Sequence, residues 1–208
     1  MQRKVVKITA FFLALVCLLG SFVGCGKPDE EAFLLTVEAL LKETEAVNAL
    51  CFGEGLAVRE DGYTSGSYAE AAEESLAAYG VKNTAEIKEK VRRVYSVTVA
   101  EWVEEITFSA VYADSTVLSY SRYYDTVVAE EDDRAVLMVK KDYEPLLVGR
   151  TVYGNIRVVS LSSKRAEILV DVTVTHEGKS RVEKDVSLAL RFEEGAWRFD
   201  TPTYLTFD

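Results

Sequence analysis

The spacing of apolar residues divides the chain into a helical first half and a strand-rich second half. Between Asp29 and Phe52, apolar side chains recur every three or four residues, which is the period of one helix face. The residues of this stripe are Phe33, Leu34, Val37, Leu40, Leu41, Val47 and Leu50. Gly53 and Gly55 follow, and they predict the end of this helix.

Shorter helices are predicted to follow. Ser67 and Glu70 have the spacing of a capping box, in which each side chain bonds to a free backbone N–H of the other residue. We therefore expect a helix that starts at Ser67 and runs to Tyr79. Gly80 is its predicted stop, because glycine adopts the left-handed conformation that ends many helices.

Two more helix starts are indicated by capping residues. Asn83 precedes one apolar stripe and Thr98 precedes another. The residues expected to face inward are Ile87, Val91 and Val94 on the first helix, and Val99, Trp102, Val103 and Ile106 on the second.

After Ser109 the period changes to alternation, which predicts half-buried strands. The strands are expected at 117–123, 135–140, 153–161, 166–174, 182–192 and 197–200. Gly178 and Gly195 predict hairpin turns because glycine adopts positive φ without steric cost. In the strand after Gly178 the apolar side is expected to hold Val182, Val186, Leu188, Leu190 and Phe192. Helices followed by antiparallel strands predict an α+β domain with the helices on one sheet face.

The first 24 residues have the organisation of a bacterial secretory signal. A basic segment to Lys7 precedes an apolar run from Ile8 to Leu19, and small residues lead to Cys25. The apolar stretch is shorter than the roughly 20 residues that span a membrane. The alternatives are an ordinary secretory signal or an uncleaved anchor, with Cys25 incidental in both.

The sequence Phe22-Val23-Gly24-Cys25 resembles the lipobox of bacterial lipoproteins, although that family usually has Leu where this chain has Phe22. The resemblance implies that Cys25 is acylated through its sulfur, with palmitate-type chains, and becomes the N-terminus. The chain would then divide into a signal peptide (1–24), a polar tether (25–32) and a single domain (33–208). A lipid anchor of several acyl chains would hold this domain on the extracytoplasmic face of the cell membrane.

Charge and cysteine content narrow the picture further. Acidic residues number 34 against 24 basic ones, so the formal net charge is −10, and loss of the basic signal makes the domain more acidic. This charge argues against nucleic-acid or anionic-lipid binding.

Because Cys17 leaves with the signal and Cys25 would carry lipid, Cys51 is the remaining thiol. Its place on the apolar helix pattern predicts a buried, unreactive side chain.

The closing segment from Leu188 to Asp200 has an apolar strand, an acidic glycine turn and then Trp197. With the element order, it resembles the nuclear transport factor two-like superfamily, also called ketosteroid-isomerase-like. That resemblance implies a cone-shaped, curved antiparallel sheet around helices, and isomerase members use an Asp base with Tyr and protonated Asp donors. More narrowly, 120–125, 139–145 and 197–204 look like uncharacterised lipoproteins of anaerobic Gram-positive bacteria, which implies no activity.

No combination of residues with catalytic spacing is found, and the chain is predicted not to be an enzyme and to use no cofactor or metal. His176 is a single histidine beside a hairpin glycine, and the acidic run 130–133 lacks the spacing of a calcium loop. The aspartates considered for an isomerase-type base all fall at positions predicted to be solvated. They are Asp125, Asp171, Asp185 and Asp200.

A tyrosine-rich stretch is the strongest candidate for a binding site. The candidate residues are Arg122, Tyr120, Tyr123, Tyr124, Tyr143 and Trp102. Tyrosine is enriched where one end of the ring is apolar and the other is wet, as at a pocket mouth or an interface. Tyr and Arg together suit a glycan, a peptide or an acidic small molecule. The alternative is structural, because aromatic residues also suit a half-buried sheet surface.

Three classes of function follow. The favoured one is a membrane-tethered, non-catalytic domain that binds a ligand or an envelope protein. The second is an interaction or inhibitor module for a cell-envelope enzyme, which would dock or form a homodimer through its sheet surface. The third is an isomerase-like enzyme, for which no nucleophile, base and orienting group occur together.

Overall fold

The computed structural model describes residues 29–113, 116–120, 122–128, 133–147 and 149–204, with the backbone alone described at 111–113 and 116–120. The predicted signal peptide, Cys25 and the first part of the tether lie outside the described residues. The helices are α1 (Glu30–Cys51), α2 (Glu73–Tyr79), α3 (Thr84–Val94) and α4 (Val97–Phe108). The strands are β1 (Thr64–Ser65), β2 (Tyr68–Glu70), β3 (Ala110–Ala113), β4 (Thr116–Tyr120), β5 (Tyr123–Val128), β6 (Arg134–Lys140), β7 (Arg150–Leu161), β8 (Arg165–His176), β9 (Lys179–Glu193) and β10 (Ala196–Phe199).

The long first helix forms as its apolar stripe predicts. The Asp29 carboxylate accepts hydrogen bonds from the N–H groups of Glu31 (3.0 Å) and Ala32 (3.4 Å), which caps the first turn of α1. The helix therefore includes residues 30–32 of the predicted tether. Phe33 and Val37 are among its buried residues, so one face of α1 packs into the core.

The predicted capping box at Ser67 is wrong. Residues Tyr68–Glu70 form strand β2, which pairs with β6, and the helix starts only at Glu73. The reason is tertiary: Glu70 is buried and its carboxylate binds Arg134 instead of the backbone at Ser67. The predicted stop is confirmed, because Gly80 adopts the left-handed conformation with φ 59°.

The predictions for α3 and α4 are partly confirmed. The Asn83 side chain caps α3 by accepting from the N–H of Glu86 at 2.9 Å, and the predicted stripe of α3 is buried. The N-cap of α4 is Ser96, not Thr98. Trp102 does not turn fully inward, because 39% of it is exposed.

Helices followed by antiparallel strands are confirmed as an α+β architecture, with a strongly curled antiparallel sheet. Strands β10, β9, β8 and β7 are neighbours in that order. The hairpin turns at Glu177–Gly178 and Glu194–Gly195 both have positive φ at their two central residues, as the glycines predict. The β8 alternation is also confirmed, with its even-numbered residues from 166 to 174 buried.

Two bulges oppose each other across β8. The pairing shifts between Gly154 and Arg157 on β7, and between Val170 and Val172 where β8 meets β9. Asp171 lies between them and accepts from the Asn155 side chain (2.6 Å) and the Asp185 N–H (3.1 Å). Bulges bend and twist a strand, which favours the curl of this sheet.

The β9 bulge also explains an error in the predicted face of this strand. It adds one residue and so reverses the side-chain alternation before Asp185, and Val182 is exposed instead of buried.

A second sheet has the order β1-β2-β6-β5, and β3 pairs with β4 as a separate hairpin. The predicted single strand at 117–123 is wrong, because β4 ends at Tyr120 and β5 begins at Tyr123. The break at Arg122 directs this side chain away from the sheet ladder and into the interior.

The core lies between the helices and the inner face of the β10-β9-β8-β7 sheet, which we call the long sheet. Near its start, α1 places Phe33 against Trp197 of β10, with ring centroids 5.0 Å apart. Near its end, α1 meets β5 and the segment after β6, where Leu50 and Cys51 are buried. The opposite ends of α1 therefore contact different parts of the molecule.

Candidate functional site

The carboxyl end of α1 is capped by tyrosine side chains from distant parts of the chain. The last carbonyl groups of a helix have no partner within the helix. The Tyr123 hydroxyl donates to the carbonyl of Leu50 at 2.9 Å. The Tyr143 hydroxyl donates to the carbonyl of Cys51 at 3.2 Å. These two tyrosines thus satisfy groups that α1 leaves unpaired.

The next two carbonyls are also bonded. The N–H of Leu147 donates to the carbonyl of Phe52 at 2.8 Å, and Nη2 of Arg122 donates to the carbonyl of Gly53 at 2.6 Å. The last turn of α1 contains no basic residue of its own. Arg122 therefore supplies the positive charge that a helix carboxyl terminus favours. We call Arg122, Tyr123 and Tyr143, with the carbonyls they bind, the Arg122 cluster.

Arg122 is a buried cation whose hydrogen bonds are incomplete. Only 1% of the residue is exposed, and Nε and Nη1 have no hydrogen-bond partner among the described residues. Its Cζ lies 4.0 Å from the ring centroid of Tyr143 and 5.2 Å from that of Tyr123. These rings attract the charge by cation–π contact. Ring faces do not replace the acceptors that a buried guanidinium normally has.

Tyr123 is fixed in place by its neighbours. It is fully buried, and besides donating to Leu50 its hydroxyl accepts from the N–H of Leu56 at 3.2 Å. Burial raises the pKa of Tyr123 to about 12, against the opposing effect of the Arg122 charge. Gly55 passes close by with φ 71°, and a Cβ there would overlap with Nη2 of Arg122 and the hydroxyl of Tyr123. A glycine is therefore needed at this position.

An aromatic patch, formed by Phe52, Trp102 and Tyr204, adjoins the cluster. Tyr204 stacks on the buried Phe52 with ring centroids 4.3 Å apart. The ring centroids of Trp102 and Phe52 are 5.9 Å apart, and the ring planes of Trp102 and Tyr204 are inclined by 6°. Tyr143 lies near enough to Tyr204 to contribute to the raised pKa of Tyr204, of which burial is the main cause. Tyr143 is therefore in contact with the guanidinium and close to a partly exposed aromatic patch.

The structure places the six predicted site residues unequally. Arg122, Tyr123 and Tyr143 come together, and Trp102 lies in the adjoining aromatic patch. Tyr124 lies elsewhere, with its ring 5.0 Å from that of Tyr68 in a separate apolar cluster. The side chain of Tyr120 lies outside the described residues. Arg122 and Tyr123 are buried, so neither side chain forms an open groove.

Cys51 is buried as predicted, with 1% of the residue exposed. Burial raises the pKa of its thiol to about 12, and the nearby Arg122 charge opposes this rise only in part. The thiol is therefore protonated at neutral pH and is a poor nucleophile.

A second buried polar cluster lies beside α1 and is completely bonded. We call Asn48, Tyr95, Tyr153 and Thr203 the Tyr95 cluster. The Tyr95 hydroxyl donates to the Asn48 Oδ1 at 2.6 Å and lies 2.8 Å from the Thr203 hydroxyl, to which the Asn48 amide nitrogen also donates at 3.1 Å. The Tyr153 hydroxyl donates to the carbonyl of Thr203. These bonds tie the end of the chain's described part to α1 and leave no orphaned side-chain atom in the cluster.

Three carboxylates in the described part of the chain are bonded to neighbouring groups. Glu70 is the one buried acid there, and hydrogen bonds from Arg134 lower its pKa to about 2, so it is ionised and paired at neutral pH. Asp125 is exposed and caps α3 by accepting from the N–H of Thr84 at 3.1 Å. Asp200 accepts from the Ser96 hydroxyl at 2.6 Å. These carboxylates have structural partners.

Three surface depressions of the described residues are lined by charged side chains. One of about 390 Å³ is lined mainly by charged residues, from Arg59 to Asp61 and at Glu73 and Glu74. Another, of about 530 Å³, lies over the two bulges. A third, of about 240 Å³, includes Arg198, whose Nη2 bonds to Glu194 at 3.0 Å while its Nε has no partner among the described residues. None of the three brings together unpaired groups as the Arg122 cluster does.

His176 ends β8 at the hairpin, as predicted. No group of three or more His, Cys, Asp or Glu side chains within the described ranges is arranged to hold a metal ion. Across the same ranges, no helix combines the length and apolar character needed to cross a membrane.

Comparison with known proteins identifies no relative: no family model, curated protein or solved structure matches the chain. The chain is an α+β domain with a curled antiparallel sheet and a buried, incompletely bonded arginine at the end of its first helix.

Sequence reasoning did not find all of this site. It did not connect Tyr204 or Phe52 with the tyrosine-rich stretch, because they are distant from it in the sequence. One signal was present: Gly53 and Gly55 follow α1, and its last turn contains no basic residue. That pattern indicates that the helix end needs a partner from elsewhere, but it does not say which residue.

Proposed function

We propose that this protein is a lipid-anchored, extracytoplasmic domain that binds a ligand without catalysis, and that the Arg122 cluster is its binding site. The anchor would be Cys25, on the resemblance of 22–25 to a lipobox. The observation that carries the binding proposal is Arg122, a buried charge with two nitrogen atoms that lack acceptors in the described structure. Buried polar groups are normally bonded, so an exception suggests a partner that binds there.

The position of the cluster supports this proposal. The predicted tether joins α1 at Asp29, whereas the cluster lies at the other end of this 22-residue helix. At 1.5 Å per residue, α1 separates the two by about 33 Å. A domain anchored near the start of α1 would therefore hold the site at the end of α1 that is farther from the anchor. Envelope molecules would reach the site at that end.

We also propose, as the finer description of the fold, a nuclear transport factor two-like domain. The curled sheet, the helices on its inner face and the closing hairpin to Trp197 support it. Ligands of such cones would occupy the interior. Here the Tyr95 cluster and apolar side chains fill the described interior, which favours a site at the end of α1 and disfavours an isomerase-type base.

A protein-interaction module is the second candidate. On the outer face of the long sheet, Val152, Thr173 and Val182 are neighbours across three strands. The two valines are 46% and 55% exposed, respectively. A short apolar row of this kind would suit docking or a homodimer.

Native mass spectrometry of the domain from Gly26 to Asp208 tests the binding proposal. A co-purifying added mass that is lost in Arg122→Met and kept in Arg93→Met would support a ligand at the cluster. Arg93 is an exposed cation on α3 and serves as the matched control. A spectrum of unliganded dimer, or of a complex with an envelope protein, would favour the second candidate instead.

The anchor is tested separately in cells that express the full chain. With Cys25 intact, we expect the protein in the membrane fraction and labelled by a palmitate analogue. Cys25→Ala should remove the label and release the processed domain or leave an unprocessed precursor. Equal labelling of the variant would contradict lipidation at Cys25.

A further inference from the structure

We infer that the ligand of the Arg122 cluster is a small monocarboxylate with a flat apolar body. This inference rests on the proposed binding function and specifies its ligand class. The guanidinium of Arg122 is always charged, and it donates to the Gly53 carbonyl through Nη2 alone. A carboxylate oxygen is the acceptor that forms the strongest bonds with the remaining N–H groups.

Charge balance favours a single negative charge. None of the ion pairs among the described residues involves Arg122. One buried cation neutralises one carboxylate. A dianionic phosphate would bring a second charge into the same low-dielectric site without a partner, which is strongly unfavourable.

The surroundings favour a flat, apolar body. The Tyr143 ring covers the guanidinium at 4.0 Å and is held by one hydrogen bond, to the carbonyl of Cys51. In the adjoining aromatic patch, the parallel rings of Trp102 and Tyr204 are partly exposed. Rotation of the half-buried Tyr143 side chain would open a route from these rings to Nε and Nη1. A ligand ring could then stack on aromatic faces while its carboxylate reaches Arg122.

The inference is tested with three matched probes on the unaltered domain. The probes are benzoate, its neutral analogue benzamide, and phenyl phosphate as the dianion, in buffer free of other carboxylates and at constant ionic strength. The readouts are the unfolding midpoint temperature and the NMR signal of the Arg122 Nε–H. We expect benzoate to raise the midpoint saturably and shift this signal. Benzamide has no negative charge, and phenyl phosphate has one more than Arg122 can neutralise. Both should therefore bind at least about tenfold more weakly than benzoate.

A variant pair locates the response. Arg122→Met should abolish the benzoate-induced rise in midpoint, while Arg93→Met should keep it. The inference is overturned if benzoate gives no saturable response, if benzamide or phenyl phosphate binds as tightly, or if Arg122→Met still responds. Because the three probes are compared on the unaltered protein, the result does not depend on the folding of the variant.

Different results would contradict the binding function and the ligand class. A neutral or dianionic molecule that co-purifies and is lost in Arg122→Met would preserve the binding function and overturn the ligand class. Absence of any co-purifying mass, together with no response to the three probes, would count against both.

Discussion

The two buried polar clusters beside α1 differ in how completely they are bonded. In the Tyr95 cluster, the polar side-chain atoms of Asn48, Tyr95 and Thr203 bond to one another. In the Arg122 cluster, a charged side chain with greater need of partners has two nitrogen atoms without acceptors in the described structure. Both clusters draw on residues distant in sequence, so long-range packing alone does not account for the difference.

The difference separates a structural role from a candidate functional one. This fold is able to satisfy a buried polar cluster fully, as the Tyr95 cluster demonstrates. An incomplete cluster in the same core carries an energetic penalty that a bound ligand would remove. Arg122 is singled out by two nitrogen atoms without acceptors on one cation that is 1% exposed. The other described residues with an orphaned side-chain atom have one each, and they are Thr107, Thr151 and Arg198.

The largest effect is expected from Tyr123→Ala, which removes a fully buried ring and both of its hydrogen bonds. We expect a loss of about 4 kcal/mol in the free energy of unfolding, measured by urea denaturation. Tyr123→Phe keeps the ring and should lose about 1–2 kcal/mol. A loss below about 1 kcal/mol for Tyr123→Ala would contradict its place in the core.

Glu70 provides the contrasting case of a buried charge that is paired. Its pKa in the fold, about 2, lies below the ordinary value of 4.5. Since the folded pKa is the lower one, the stabilisation is complete above about pH 4.5 and is lost as the pH falls towards 2. Glu70→Gln should cost about 2–3 kcal/mol at pH 7. It should also flatten this acid limb of the stability profile, and an unchanged limb would show that another carboxylate is responsible.

A smaller loss is expected from Tyr95→Phe in the fully bonded cluster. The change leaves the Asn48 Oδ1 without its donor and should cost about 1–2 kcal/mol in the free energy of unfolding. Ligand binding at the Arg122 cluster should be unaffected, which native mass spectrometry can check. Loss of a co-purifying mass in this variant would place the ligand in the interior and reverse the roles of the two clusters.

The smallest effect on stability is expected from Arg122→Met. The substitution removes the bond to the carbonyl of Gly53 and the cation–π contacts with the two tyrosines of the cluster, but it also removes an incompletely bonded buried charge. Because these effects oppose each other, the free energy of unfolding should change by less than about 1 kcal/mol in ligand-free protein. A loss of more than about 3 kcal/mol in denaturant titration would instead assign Arg122 a structural role as the cap of α1.

Sequence patterns predicted the elements better than the site. The local spacing of apolar residues was enough to predict the buried faces of α1, α3 and β8. The helix predicted from the Ser67–Glu70 spacing does not form, because Glu70 bonds to Arg134 and β2 pairs with β6. Sequence clustering grouped Arg122 with Tyr123 and Tyr143, which are in contact in the fold, but it gave no indication that the first two are buried.

The sequence by itself determined what neighbouring residues decide: the Asn83 cap, the glycine turns and the alternating strands. It also supplied the signal and lipobox pattern that predicts an anchor at Cys25. Tertiary structure decided which distant groups bond to the carboxyl end of α1, where Tyr123 meets Leu50 from 73 positions away. Local periodicity contains no information about such partners, because the free carbonyls of a helix end accept any donor that the fold brings near.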